Sequence, residues 1–325
     1  RISPVSGNRD LARFITAPGS LYRDDPNWVA PLRFEQKQRL TGKNPFFQHA
    51  RWQAWTARRQ DRIVGRISAQ IDDLYEKQHG ERVGYFGMLE AGDDPQLFAR
   101  LLGTAEDWLR DQGIRTVRGP FNLSINEECG MLVDGFDTPP FIMMAHARPW
   151  YGPHVEAAGY RAATDLLAYQ IDPAFEAPRI MTRLLERETK NVEVRCLRRR
   201  QLKQELEILR DIFNDAWQNN WGFVPFTERE FSALGKELLM LVPQEFIHIA
   251  EVDDVSQVRP IQPSGAGRIG ADPVALDPVP AACSPQVDAV GRAGDDVGGR
   301  GGRCRGFRGI SRPRPVCERC GRRAR

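Results

Sequence analysis

The chain has 325 residues, a formal net charge of +3 and a mean hydropathy of −0.49, a length that suggests about two domains. Hydrophobic (41%) and charged (27%) fractions are those of a globular protein, and no apolar stretch approaches the ~20 residues that cross a bilayer, which argues against a helical membrane protein. The charge is split: residues 255–325 hold 13 Arg against 6 acidic residues, which leaves the first 254 at −4.

Residues 1–7 read as a short strand. Asn8 and Asp10 then cap an apolar-periodic helix through Leu11, Phe14 and Ile15, ending near Tyr22. Asp25-Pro26-Asn27 marks a turn before a second helix over Leu32–Leu40. Strands at Trp52–Arg58 and Ile63–Ile71, joined at Arg59-Gln60-Asp61-Arg62, form a hairpin by spacing and β-branched content. A strand at Val83–Glu90 precedes an amphipathic helix capped by Asp93 or Asp94, with Pro95 in its first turn and Leu97, Leu101, Leu102, Ala105, Trp108 and Leu109 on one stripe. Gly113 stops that helix and Ile114–Arg118 resumes a strand. After a long irregular stretch come a short helix at Pro153–Ala158 and a closing strand at Arg161–Ile171. The expected fold class is therefore α/β, or mixed α+β: one mixed sheet with helices on both faces.

Residues 174–191 read as a charged linker helix, after which the pattern restarts. Val192–Leu197 is a strand and Gln201–Trp217 a helix; a Thr227-capped helix with Glu230 at the capping-box position precedes a strand at Phe246–Val252. Asn27 and Trp28 match Asn220 and Trp221, Ala57 matches Ala250, and Asp61 matches Asp254, all at an offset of 193. Four matches at one offset with the same element order predict a duplicated domain.

This order, together with Tyr22-Arg23-Asp24-Asp25-Pro26-Asn27-Trp28, Lys43-Asn44-Pro45-Phe46-Phe47, Gly119-Pro120-Phe121-Asn122, Ser124–Gly130, Asp134–Pro140 and Asn220–Pro225, resembles the GCN5-related N-acetyltransferase (GNAT) superfamily, and more narrowly a bacterial tandem GNAT-like group. The resemblance spans residues 1–254. It implies acyl transfer from acetyl-CoA or another acyl-CoA to a small-molecule amine. A backbone N–H at a splayed strand would hold the thioester carbonyl, and a Gly-rich loop opening the next helix would cradle the pyrophosphate. By that likeness Gly87 and Met88 are the cofactor-binding candidates, Gly87 marking a bulge or close approach. The following loop, Glu90–Pro95, is acidic where the superfamily has its cradle, and Pro95 removes a donor. The acid Tyr expected four residues before Gly159 is replaced by Val155, although Tyr151 begins the same helix.

The densest polar cluster is Asn122, Ser124, Asn126, Glu127, Glu128 and Cys129 in a long connection, where Asn126 and Glu127 would orient a substrate or act as base and a self-bonded loop is the structural alternative. Asn126, Glu127 and Tyr151 are thus the catalytic candidates. Cys129 with His146 or His154 is a weaker pairing, since an apolar neighbour such as Met131 fits a buried thiol. Trp28 and Trp221 read as core anchors, and Met143-Met144 as sheet-core residues. No helical His pair suggests a metal.

From residue 255 the composition changes to Arg, Gly, Ala, Pro and Val, with one Phe and one Leu in 71 residues, too few to order a core. An out-of-frame reading of GC-rich DNA would produce such a tail. Gly265-Ala266-Gly267-Arg268-Ile269-Gly270 lacks the flanking strand and helix of a dinucleotide site, and Cys317-Glu318-Arg319-Cys320 is half a zinc site without a surrounding fold. The expectations are therefore a GNAT-like domain at 1–173, a linker at 174–191, the start of a second, truncated copy at 192–254 and a disordered tail at 255–325. With them go no metal, no specific nucleic acid or membrane partner, a cytoplasmic location, and weak or absent acyltransferase activity; a non-catalytic ligand- or protein-binding module is the alternative. Because the chain opens on Arg1, a trimmed or partial product is expected.

Overall fold

The computed structural model describes residues 1–169, 179–180, 183, 192–252 and 304–312. These fall into two units: residues 1–169 with 220–225 and 304–312, and residues 192–219 with 226–252. The predicted linker helix lies almost wholly outside the described residues, as does most of the tail.

In the first unit β1 (Ile2–Pro4) leads into α1 (Gly7–Thr16), α2 (Pro18–Leu21) and α3 (Arg33–Arg39). Asn8 and Asp10 lie inside the first turn of α1 rather than capping it; Ser6 holds the extended cap position. The hairpin is β2 (Ala50–Arg59) and β3 (Arg62–Asp72), turned at Gln60 with φ of 55°. Asp72 then caps α4 (Asp73–His79), a helix the periodicity did not announce, by accepting from the Leu74 amide at 2.9 Å.

Strand β4 (Val83–Ala91) is buried along nearly its whole length, which explains its continuous apolar run, and α5 (Pro95–Asp111) packs Phe98, Leu101, Leu102, Ala105 and Leu109 beneath the sheet. Phe98 replaces Leu97 and Trp108 at the centre of the predicted stripe; those two are only partly buried. Burial of Phe98 and of each of the three leucines stabilises the sheet–helix layer by about 2 kcal/mol. The connection after β5 (Thr116–Gly119) contains the short strands β6 (Phe121–Asn122), β7 (Glu128–Cys129) and β8 (Met131–Asp134) before α6 (Tyr151–Ala157) and β9 (Arg161–Tyr169).

The main sheet runs β1-β2-β3-β4-β5-β12-β8, with β9 also paired to β12 (Cys304–Arg312). β4 and β5 are parallel and the other pairs antiparallel. A strand at 304–312 was not expected from the composition. The ladder needs only backbone N–H and C=O groups, so the edges left by β5 and β9 accept an extended segment whatever its side chains. Mixed pairing with helices on both faces is the predicted fold class.

The second unit repeats the predicted strand–helix–helix–strand order: β10 (Val192–Cys196), α7 (Leu202–Trp217), α8 (Glu228–Leu241) and β11 (His248–Val252). Thr227 and Glu230 form the expected capping box. Arg195, 9% exposed, donates at 2.7 Å to both Glu205 and Glu251, so its buried charge is matched. β10 and β11 are antiparallel, as β1 and β2 are, with Val194 opposite Ala250 where Ile2 stands opposite Ala57, one residue out of step at the 193-residue offset.

Candidate functional site

The site is built on an interruption of β4. Its ladder with β3 sets Arg66 opposite Glu90 and Ser68 opposite Gly87, so Met88 and Leu89 face a single residue, Ile67, in a β-bulge. Met88 takes a φ of 47° there. The parallel pairing of β4 with β5 runs from Val83 to Tyr85 and stops there. A Cβ on Gly87 would stand 1.8 Å from the Phe121 carbonyl oxygen, so glycine is required by the approach of β6.

The bulge points Glu90 towards a cleft bordered by Met88, Pro120, Asn122, Ala145, His146 and Tyr151. The Tyr22 hydroxyl donates to Glu90 at 2.5 Å and the Tyr151 hydroxyl at 2.9 Å, while Arg66 stands 3.6 Å away. Tyr151 in turn accepts from the Ala91 amide at 3.0 Å. Burial pushes the Glu90 carboxyl above its ordinary range, opposed by the Arg66 charge and the two hydroxyls. Its side chain remains 14% exposed, enough to meet a small group entering the cleft. Tyr22 and Tyr151 are both held protonated by burial and by the neighbouring carboxylate.

A histidine stands beside it. His146, 6% exposed, bonds Asp25 through Nε2 at 2.8 Å, and Arg148 lies 3.4 Å from the same carboxylate. Burial alone would raise Asp25; hydrogen bonds from His146 and the Asn27 amide, with the charge of Arg148, bring it below its usual value. Nδ1 of His146 is buried and has no partner among the described residues. Glu90 thus offers a hydrogen-bond acceptor to the cleft, with His146 lining it beside Asp25.

Tyr151 belongs to this site. Met88 borders it through the bulge, while Gly87 packs against β6 outside its lining; the Met88 amide donates to Asn122 Oδ1 at 2.7 Å and is not free for a carbonyl ligand. Asn126 donates to the Val224 carbonyl at 2.8 Å, and Glu127 pairs with Arg39, which also donates to the Asn122 carbonyl at 2.5 Å. Both therefore brace the Asn122–Gly130 loop. Cys129 is pushed up to about 11 by burial and by Glu128, and His154 bonds Asp93, so no thiol–imidazole pair forms. Tyr22 and Glu90 carry the site without having been candidates. Both stood in quoted motifs, but 68 residues separate them and only the packing of α2 and β4 brings them together.

The start of α5, where a pyrophosphate would sit, is closed. Asp94 accepts from the Gln96 and Leu97 amides at 3.0 and 3.1 Å and pairs with Arg59, Pro95 has no amide to offer, and Asp93 adds a second carboxylate. The residues present do not fit the phosphates of an acyl-CoA. Among the described residues no group of His, Cys, Asp and Glu suited to a metal ion is found, and no helix is long and apolar enough to cross a membrane.

No family model matches the chain. Two curated bacterial proteins are similar to it: protein YghO of Escherichia coli K12, 50% identical over 247 residues, and the bacterial ceramide synthase of Caulobacter vibrioides, 46% identical over 255. The alignments cover 75% and 78% of this chain but 63% and 66% of the relatives, so the chain spans less than two thirds of their length. Among solved structures, a tandem GNAT protein from the clavulanic acid biosynthesis pathway aligns over 74% of this chain and 66% of its own, at 12% identity and a TM-score of 0.42. An aminoglycoside 6'-acetyltransferase type Ii aligns over 51% and 86%, at 18% identity and a TM-score of 0.32.

Proposed function

We infer that this chain, which has the GCN5-related N-acetyltransferase fold, is part of an N-acyltransferase whose first domain holds the amine acceptor and not the acyl donor. The observation that carries the reading is the bulge of β4, which turns the Glu90 carboxyl, held by the Tyr22 and Tyr151 hydroxyls, to the cleft. An ammonium group is all donor, and its nitrogen must lose a proton before it can attack a carbonyl. Glu90, its carboxyl raised by burial, suits that transfer better than an exposed carboxylate: it takes the amine proton, while Tyr22 and Tyr151, donating to Oε2, hold its charged form beforehand.

The similar bacterial ceramide synthase is, by its name, a protein that forms an amide on a long-chain amino alcohol, which favours an amphiphilic amine here as well. The closed start of α5 favours an acyl-CoA held outside this domain. The 193-residue offset and the shared order of elements favour a duplicated architecture, in which a second domain supplies that function; this chain by itself is then weak or inactive in transfer, and soluble in the cytoplasm.

Sphinganine, titrated into the full chain below its aggregation limit and followed by tryptophan fluorescence, tests the assignment, since Trp28 stacks on Tyr22 at 5.4 Å. The expected result is saturable binding that weakens at least tenfold in Glu90→Gln. Absence of binding, or equal binding by the variant, refutes the acceptor site.

A further inference from the structure

The main sheet is completed by a strand from far along the chain. Among the described residues β8 pairs with no strand except β12, and neither does β9. On one side of β12, Gly306, Phe307 and Arg308 stand opposite Asp134, Leu132 and Met131 of β8, and Ile310, Ser311 and Arg312 stand opposite Gly119, Arg118 and Val117 of β5. β8 and β5 thus follow one another along a single edge. On the other side β9 runs with β12 from Tyr169 at Cys304 to Arg161 at Ser311, and all three pairings are antiparallel. Without β12 the sheet has a gap one strand wide, with a row of unpaired backbone N–H and C=O groups on each side. The chain between β8 and α6 does not fill it. Met143, expected in the sheet core, is lifted out by a turn closed by the Met144 amide on the Phe141 carbonyl at 3.1 Å, and Met144 packs inward.

We propose that this gap is a binding site for an extended peptide, taken antiparallel to both edges, and that residues 304–312 fill it as a tethered, exchangeable occupant. The ladders select that class of ligand. They use backbone groups alone, so a peptide long enough to span the gap is accepted with wide latitude in sequence. Proline is refused, because it has no amide to give at a position flanked on both sides. The occupant shows the latitude: Cys304–Arg312 carries glycines at 306 and 309, which weaken a strand, and still forms all three ladders. Residues 253–303 separate it from β11, so it reaches the gap as a tethered segment and not as the next strand of a meander. Tethering holds a ligand at an effective concentration on the order of 1 mM, and a free peptide above that level takes its place. Occupancy also reaches the cleft, since Met131, which lines it, stands opposite Arg308. The peptide site stands whether or not the cleft binds an amine.

A cross-strand disulfide in the full chain tests this. Tyr169 is 65% exposed and stands opposite Cys304, so Tyr169→Cys puts two thiols on facing residues, at a Cα spacing that a disulfide spans. Oxidation with copper phenanthroline should join the introduced thiol to Cys304, as peptide mapping reads, and leave the chain monomeric on a non-reducing gel. Leu167→Cys with Gly306→Cys, a second facing pair on the same side of β9, repeats the measurement should the first variant misfold, and circular dichroism verifies both. Overnight incubation before oxidation with about 5 mM of a free peptide of residues 304–312, carrying Cys304→Ser, should lower the disulfide yield at least threefold. The same peptide with Ile310→Pro should leave the yield unchanged. A disulfide at neither pair overturns the occupant assigned to the gap. A covalent dimer overturns the tethered arrangement by giving the gap to a second copy. An intramolecular disulfide that the free peptide does not diminish, or that the proline peptide diminishes equally, overturns the peptide site.

Discussion

At the scale of single residues, Glu90 joins stability to the proposed chemistry. Its folded value is raised by burial, so the native state holds that proton more tightly than the unfolded chain does. Its contribution is complete below the ordinary carboxylate value and is lost as pH climbs from there through the folded value. Glu90→Gln, which keeps the shape and accepts from both tyrosines, removes that loss. The stability of the variant relative to the wild type should therefore grow as pH rises above about 4.5, the ordinary carboxylate value. Urea denaturation at several pH values checks this, and parallel curves would show that Glu90 is not perturbed. The sequence made Tyr151 visible as the opening residue of a helix and Gly87 as an interruption in a strand. Glu90 looked like one more acid in an acidic loop, because its neighbours Tyr22 and Arg66 lie far along the chain and burial is a property of the assembled sheet. Asn126 and Glu127 were conspicuous for their polarity, yet their side chains brace a loop.

Among the elements, local signals served well wherever a cap or a period determined the outcome. Asp94 and Pro95 open α5, Gly113 ends it at a φ of 79°, and Thr227 with Glu230 opens α8, each through bonds within a few residues. The helix α4 was not legible, because seven residues give too short a period to stand out, nor were β6 to β8, whose pairing partners are not adjacent elements of a regular hairpin pattern. β12 lay beyond composition altogether, since its ladder is a backbone affair. Replacement of Asp94 by Ala should cost about 1 kcal/mol through the two α5 amides it leaves without their partner. Asp93→Ala, which loses only a pair with His154 at a surface where the carboxylate is 63% exposed, should stay within about 0.5 kcal/mol. Chemical denaturation of the two variants side by side separates a capping role from a general charge effect; equal losses would discard the cap.

For the molecule as a whole, the prediction concerns acyl-CoA. A ligand that binds only the native state raises its stability by about 2.7 kcal/mol when present at 100 times its dissociation constant, which is a shift of several degrees in melting temperature. With the α5 terminus closed, 1 mM acetyl-CoA should move the melting temperature of the full chain by less than about 1 °C. A shift of several degrees would return the donor to this domain, or to residues outside those described, and would contradict the division of labour proposed here. The net positive charge of the sequence has a separate origin, since the 71 residues from 255 onward supply it and the preceding 254 are acidic.

Asp94 can also be regarded as a resident competitor. Tethered beside the amides it occupies, it acts at an effective concentration that a phosphate free in solution does not reach. Any anion arriving at the helix must first displace a neighbour that never diffuses away, and must do so against the added repulsion of Asp93. A domain with its own anion built in no longer needs a ligand to complete that helix end. Its fold is then independent of whether a cofactor is present, and such a domain can persist as scaffold and acceptor site when the donor is handled elsewhere.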